Sequence, residues 1–246
     1  MEHLIIGLIV GIVMGLTGAG GALISIPLFL YLLNTTVKEA TVLSLIAVML
    51  GTLVNLFGQS FKPNLKIVLP IVIFGALANF ATLPLKEMMA DMWIAGILVT
   101  IGAYSLWSIW NPGIKKVSRW GQSFLKTSLI GLGLGVITTL TGLGGGVLLI
   151  PILINFFGKS YEEALPTSLL TILMISAISF LAQINVGMKL INLPELGLIA
   201  VGAVSSFFLL KQFLKMISKD KIEITRKMLF TIVTIYSVSS VVIKSL

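Results

Sequence analysis

The chain has no cysteine, a single histidine and only 9 acidic residues among 246. Without cysteine there are neither disulfides nor thiolate metal sites. His3 stands at the N-terminus, where a lone histidine is ordinarily an exposed terminal residue rather than a ligand. There is also no nucleotide-binding loop, no cluster of metal ligands and no catalytic serine or cysteine arrangement. An enzyme is therefore not expected, and neither a catalytic residue, a metal nor a cofactor is assigned. Charged residues make up 11% of the chain, against about 25% in a soluble domain.

What fills the chain instead is apolar: 57% of residues are hydrophobic and the mean hydropathy is +1.09. A water-soluble sphere of this size cannot hide that much apolar surface. The apolar runs recur along nearly the whole length, so a single anchor or cleavable signal is excluded. They are long rather than short and alternating, which argues against a membrane barrel. Helices satisfy their own backbone hydrogen bonds in lipid, so the expected fold class is all-α: a polytopic membrane bundle with the lipid bilayer as its surroundings. The net charge of +8 does not indicate nucleic acid as a partner. The basic residues lie between apolar runs, where membrane topology accounts for them.

Two stretches organise the runs. Thr17-Gly18-Ala19-Gly20-Gly21-Ala22 leads to Pro27, and Thr141-Gly142-Leu143-Gly144-Gly145-Gly146 leads to Pro151, 124 residues later. Around each, two short apolar segments are predicted, Leu4 to Leu16 with Ala22 to Leu33, and Ser128 to Leu140 with Val147 to Phe157. A bilayer core needs about 20 helical residues, so these segments are too short to span it singly. Full-length runs follow in each half: Ala40 to Phe57, Ile67 to Leu85 and Met92 to Trp110, then Ala164 to Ile184, Leu193 to Leu210 and Ile224 to Ile243. Further matches keep the same spacing, among them Gly7 with Gly131, Gly11 with Gly135, Glu39 with Glu163, Ser44 with Ser168, Gln59 with Gln183 and Pro70 with Pro194. The chain thus reads as a duplication. The first repeat covers 1–111, a basic linker 112–126, and the second repeat 127–246.

Topology follows from the basic residues. If each short pair enters and leaves on one side, all of the 17 basic residues except Lys38, Lys86, Lys189 and Lys244 share a side. If each pair is one broken helix, the charges divide almost evenly. The first arrangement is the expected one, with both termini outside the cytoplasm and the second repeat inverted relative to the first. Trp107, Trp110 and Trp120 then belong at the cytoplasmic interface and Trp93 at the outer one. Lys86 and Glu87 flank the end of a run and are expected at the interface.

Paired glycine-interrupted segments in inverted repeats point to a transporter with a midplane site. A helix beginning at each glycine cluster presents unpartnered, partly positive N–H groups, and glycine lets a ligand approach them. Two such ends facing each other suit a small anion. The candidate substrate-binding residues are Thr17, Gly18, Gly20, Gly21 and Ser44 from the first half, and Thr141, Gly142, Gly144, Gly145, Gly146, Thr167 and Ser168 from the second. Ser25 and Thr171 are further polar candidates, and Asn55, Gln59 and Gln183 are placed toward vestibules. Plainer readings stand beside these. Gly7, Gly11, Gly15, Gly131 and Gly135 have the four-residue spacing of close helix packing. Thr17 and Thr141 could cap a helix, and Ser44 and Ser168 could bond back to their own helix.

The glycine motif resembles that of the sulfite exporter TauE/SafE family of membrane permeases. Glu39-Ala40-x-x-x-Ser44-Leu45 and Glu163-Ala164-x-x-Thr167-Ser168-Leu169 resemble it too, and the likeness covers the whole chain. Ala22 stands where the second motif has Gly146. The resemblance implies an inner-membrane carrier of small sulfur-containing anions such as sulfite or organosulfonates, its partner being that small anionic substrate. The leading expectation is export by alternating access. An anion channel with the same site and a non-transporting docking subunit are the alternatives.

Overall fold

The structure, a computed structural model, describes residues 2–17, 21–56, 61–110, 123–184, 193–214 and 219–245. They form ten helices: α1 (Glu2–Thr17), α2 (Gly21–Leu32), α3 (Val37–Leu56), α4 (Leu65–Met88), α5 (Asp91–Trp110), α6 (Phe124–Thr141), α7 (Gly146–Phe157), α8 (Tyr161–Ala182), α9 (Leu193–Leu214) and α10 (Lys219–Ser245). Each predicted apolar run has its helix. The protein is an all-α, polytopic membrane protein: α3, α4, α6, α8 and the last 18 residues or so of α10 are long and apolar enough to cross a bilayer. The distribution of side chains agrees. The exposed face of α4 carries Leu65, Leu69, Ile73, Leu77 and Phe80, a stripe at helical spacing that suits lipid. The interior instead holds hydroxyls such as Thr41, Ser44, Thr138, Ser176 and Ser179.

Several boundaries differ from the runs. α6 begins at Phe124 and has 18 residues, so Lys126 is helical rather than part of a linker. Helix also extends past the predicted runs that end at Leu210 and begin at Ile224: α9 continues to Leu214 and α10 starts at Lys219. Apolar runs mark only the lipid-facing part of a helix, whereas Lys, Gln, Glu and Arg are good helix formers that extend it into the interface. Pro27 and Pro151 lie inside α2 and α7. Before α7 the interruption is made by glycine, and a proline inside a membrane helix is tolerated.

Helix partners repeat with the halves exchanged. α1 packs on α9 as α6 packs on α4; α2 packs on α3 as α7 packs on α8; α3 meets α8, and α5 meets α10. The equivalent central helices run in opposite directions. At one end of the bundle, Lys38 Nζ donates to the Glu87 carbonyl (2.9 Å) and the Val37 N–H to Asp91 Oδ2 (3.1 Å). Gln183, just after α8, meets Lys86 at this same end. At the other end the Asn64 N–H donates to Thr167 Oγ1 (3.0 Å), near the start of α8. So α3 begins where α8 ends. α7 returns toward the end from which α6 came: it ends at Phe157, just before α8 begins at Tyr161 on the Asn64 side, and the start of α6 lies along the start of α4, where Gly131 meets Ile71.

The two cross-half seams are lined by glycine. A Cβ on Gly131 would lie 2.8 Å from Ile71 Cα, and one on Gly7 would lie 3.0 Å from Ile199 Cα. Those glycines pack helices backbone to backbone, as their spacing implied. Beyond the glycines, Thr139 Oγ1 donates to Asn79 Oδ1 (2.6 Å) across the α4–α6 seam, and both side chains are fully buried. A double-mutant cycle of Asn79→Leu and Thr139→Val, read by reversible unfolding in mixed micelles, should return a coupling of about 1 kcal/mol, within the range for such bonds in membranes. Additive single effects would contradict the bond.

Candidate substrate site

α6 ends in a left-handed cap: Gly142 has φ +67° and its N–H donates to the Thr138 carbonyl (2.9 Å). Gly144 (φ +65°) and Gly145 (φ +70°) continue in left-handed backbone, which a side chain makes costly and glycine does not. Gly145 is the residue before α7, and its carbonyl accepts the N–H groups of Leu148 and Leu149. The new helix thus starts at Gly146 and aims its N-terminal end at the loop. All four residues from Gly142 to Gly145 are buried.

Thr141 serves the cap rather than an open face. Its Oγ1 donates to the Ile137 carbonyl (2.6 Å) and accepts the Leu143 N–H (3.3 Å). Ser44 comes from the other half. Its hydroxyl sits between the Thr41 carbonyl (2.8 Å) and the Gly142 carbonyl (3.0 Å), so it both bonds back to its own helix and reaches the second glycine loop. A Cβ on Gly144 would meet Val48 Cγ1 at 2.7 Å, Ser176 Oγ at 2.8 Å and Ile172 Cγ2 at 2.9 Å. The loop is therefore wedged between α3 and α8.

Thr167 and Ser168 are not brought to this loop. Thr167 Oγ1 donates to the Glu163 carbonyl (3.1 Å) and accepts from Asn64 at the far end, and Ser168 Oγ donates to the Leu165 carbonyl (2.8 Å). They lie two turns or more from Ser176 along α8, about 12 Å or farther. Thr171 likewise bonds back, to the Thr167 carbonyl (2.8 Å). The equivalent first loop, Gly18 to Gly20, lies outside the described residues, as do the surroundings of Gly21 and the side chain of Thr17; Gln59 and Trp120 lie outside them too.

Two side chains beside the second loop escaped the sequence reading. Thr138, on the last turn of α6, and Ser176, on α8, are both fully buried, and neither hydroxyl has a hydrogen-bond partner. Ser176 Oγ abuts Gly144, and Thr138 Oγ1 lies 3.6 Å from where a Cβ of Gly145 would be. A buried hydroxyl without a partner costs about 1–3 kcal/mol, and among the described residues these are the only such side chains. Their place on either side of one left-handed glycine loop is the signal. In sequence, a serine or threonine within an apolar run is indistinguishable from one that back-bonds.

Lys86 is a correction. It does not reach the interface: its side chain is only 4% exposed. Its ammonium turns inward and donates to Thr41 Oγ1 (2.9 Å) and Gln183 Oε1 (2.7 Å). The Gln183 amide is held in turn by the Ser179 carbonyl and hydroxyl, both at 3.2 Å. Glu87, its neighbour, does face outward. The apolar stems of a lysine at the end of a run can snorkel either way, and the choice here is set by two acceptors on α3 and after α8.

A helical bundle with this many long apolar helices, carrying buried, left-handed glycine backbone between two of them, is a polytopic membrane protein. The family model described as sulfite exporter TauE/SafE matches residues 3–240, nearly the whole chain. The chain belongs to that family. No curated protein and no solved structure matches it.

Proposed function

We propose that the protein exports a small sulfur-containing anion, sulfite or an organosulfonate, by alternating access, holding it between two glycine-rich hairpin tips. The observation that carries this reading is the pair of partnerless hydroxyls, Thr138 and Ser176, flanking the second loop. Two hydroxyl donors and the start of α7 converge there, and an oxyanion supplies the acceptors they lack. The remaining residues of the proposed site are Gly142, Gly144, Gly145, Gly146 and Ser44. The inverted equivalents Thr17, Gly18, Gly20, Gly21 and Ser168 form the first tip, with Thr167 nearby and Thr141 shaping the second tip.

The distribution of basic residues along the sequence supports an orientation. Lys38, Lys86 and Lys244 gather at one end, and Lys62, Lys66, Lys126 and Lys159 at the other, by the contacts of Lys38 with Glu87, Lys244 with Asn34, Asn64 with Thr167 and Gly131 with Ile71. With the more basic end cytoplasmic, both termini face outward from the inner (plasma) membrane.

The test is a Thr138→Val and Ser176→Ala pair in full-length protein reconstituted into liposomes. Each change removes a buried, unsatisfied hydroxyl, so the melting temperature should hold or rise. Sulfite flux should fall about tenfold or more for each, the effect of losing one hydrogen bond to a charged group at about 1.5–3 kcal/mol. A double variant that carries sulfite at the wild-type rate would remove the site from this loop.

A further inference from the structure

The buried ammonium of Lys86 is not used by the tip described above, and its surroundings are incomplete. An ammonium offers three donors; Thr41 Oγ1 and Gln183 Oε1 take two. Among the described residues no carboxylate pairs with it, the ion pair found there being Lys159 with Glu163. A lysine buried at the end of a membrane bundle, reached by the Asp91 carboxylate only from beyond ion-pair distance, is unfavourably placed and marks an ion pathway more often than a structural post. Its position matches a pathway too. Thr41, which holds the ammonium through its hydroxyl, presents its carbonyl to Ser44 Oγ and packs it against Gly142. A single threonine therefore separates Lys86 from the second glycine loop. The position has no partner in the duplication, since the equivalent residue 124 positions on is Leu210.

We infer that Lys86 is an anion-binding residue of the transport path: its ammonium, held by Thr41 and Gln183 beside the second glycine loop, supplies the positive charge that meets the carried oxyanion. This rests on the anion-transport reading and adds to it. The tip alone offers neutral donors, which take small anions of any charge. A fixed cation at one end of the path favours doubly charged oxyanions over singly charged ones of similar size. Because Leu210 replaces it in the other repeat, the favour applies to one tip only and makes the two faces of the carrier unequal.

The experiment uses the full chain in liposomes and in detergent, with sulfite as the probe and acetate and chloride as singly charged comparisons. Binding is read as thermal shift and transport as flux. In Lys86→Gln, sulfite affinity and flux should fall at least tenfold, and the preference for sulfite over acetate should shrink with them. Lys86→Arg should recover a substantial part. Gln183→Glu guards against a variant that merely misfolds: it keeps the lysine and places a carboxylate where Oε1 sits, 2.7 Å away. It should leave the ligand-free melting temperature unchanged or higher and still lose sulfite binding, since the new carboxylate occupies the cation. If Lys86 only fastens α3 to the end of α8, Gln183→Glu will bind and carry sulfite normally, and the proposal falls while the transport reading stands. A wild-type protein that neither binds nor carries any of these anions overturns both.

Discussion

Gly131→Leu should remove a large share of the protein's stability. A Cβ at this position lies 2.8 Å from Ile71 Cα and 3.0 Å from the Ile71 carbonyl carbon. Both obstacles are backbone, so no side chain can swing aside, and the rest of the leucine would have to push α6 off α4. Overpacking of a tight contact costs about 1–3 kcal/mol, sometimes more, and here the displacement also opens the contact of Gly135 with Ala78 and the Thr139–Asn79 bond farther along the seam. A loss of about 3 kcal/mol is a large share of a total near 5–15 kcal/mol. At about 2–4 °C per kcal/mol for a chain of this size, the melting temperature should drop by roughly 10 °C in mild detergent. Gly133→Leu is the control. It sits two residues away on the same helix, is exposed, and a Cβ there meets nothing within 4 Å. Leucine forms helix better than glycine by nearly 1 kcal/mol, so this variant should melt no lower than wild type. Equal melting of the two variants would show that the α4–α6 seam is not where the stability resides.

That contrast is already legible in the sequence. Gly131 and Gly135 repeat at the spacing that lets helices touch, and they do touch; Gly133 breaks the spacing and faces outward. The ten apolar runs became ten helices because backbone surrounded by lipid or apolar core must satisfy its own hydrogen bonds, which a helix does within its own segment. The second glycine cluster fell at a helix break because left-handed backbone needs glycine, and Gly142, Gly144 and Gly145 all adopt it. Other features depend on tertiary neighbours that composition does not encode. Thr138 and Thr139 are adjacent and chemically identical, yet one bonds Asn79 and the other has no partner. Which of them faces the loop is decided by the rotation of α6 on α4. Lys86 turned inward because Thr41 and Gln183 stand opposite it, at sequence separations of 45 and 97. The helical extension of α9 and α10 past their apolar parts was hidden for a simpler reason: hydropathy reports the lipid boundary, not the end of the hydrogen-bonded helix.

Gly144→Ala is expected to stop transport while leaving an inserted, folded protein. The substitution places one methyl group where three groups already stand: Val48 Cγ1 at 2.7 Å, Ser176 Oγ at 2.8 Å and Ile172 Cγ2 at 2.9 Å. It also holds an L-residue at φ +65°, at a cost of about 1–2 kcal/mol. Together these should lower the melting temperature by several degrees, less than Gly131→Leu, because the neighbours are side-chain ends rather than backbone. The effect on transport should be far larger. The added methyl lies against the Ser176 hydroxyl that the proposed anion needs, and it fills the space that glycine leaves open for close approach to the backbone. Flux of sulfite into liposomes, normalised to folded protein, should fall by about a hundredfold, as loss of a charged hydrogen bond at about 1.5–3 kcal/mol combines with blocked access. Gly145→Ala provides the comparison within the same loop. Its φ is +70°, so the backbone penalty is similar, but the nearest atom is Leu134 Cδ2 at 2.9 Å, the far end of a flexible side chain. It should therefore retain measurable flux at a similar melting temperature. If Gly144→Ala carries sulfite as fast as wild type, the anion does not pass this loop, and the two partnerless hydroxyls beside it would need another explanation.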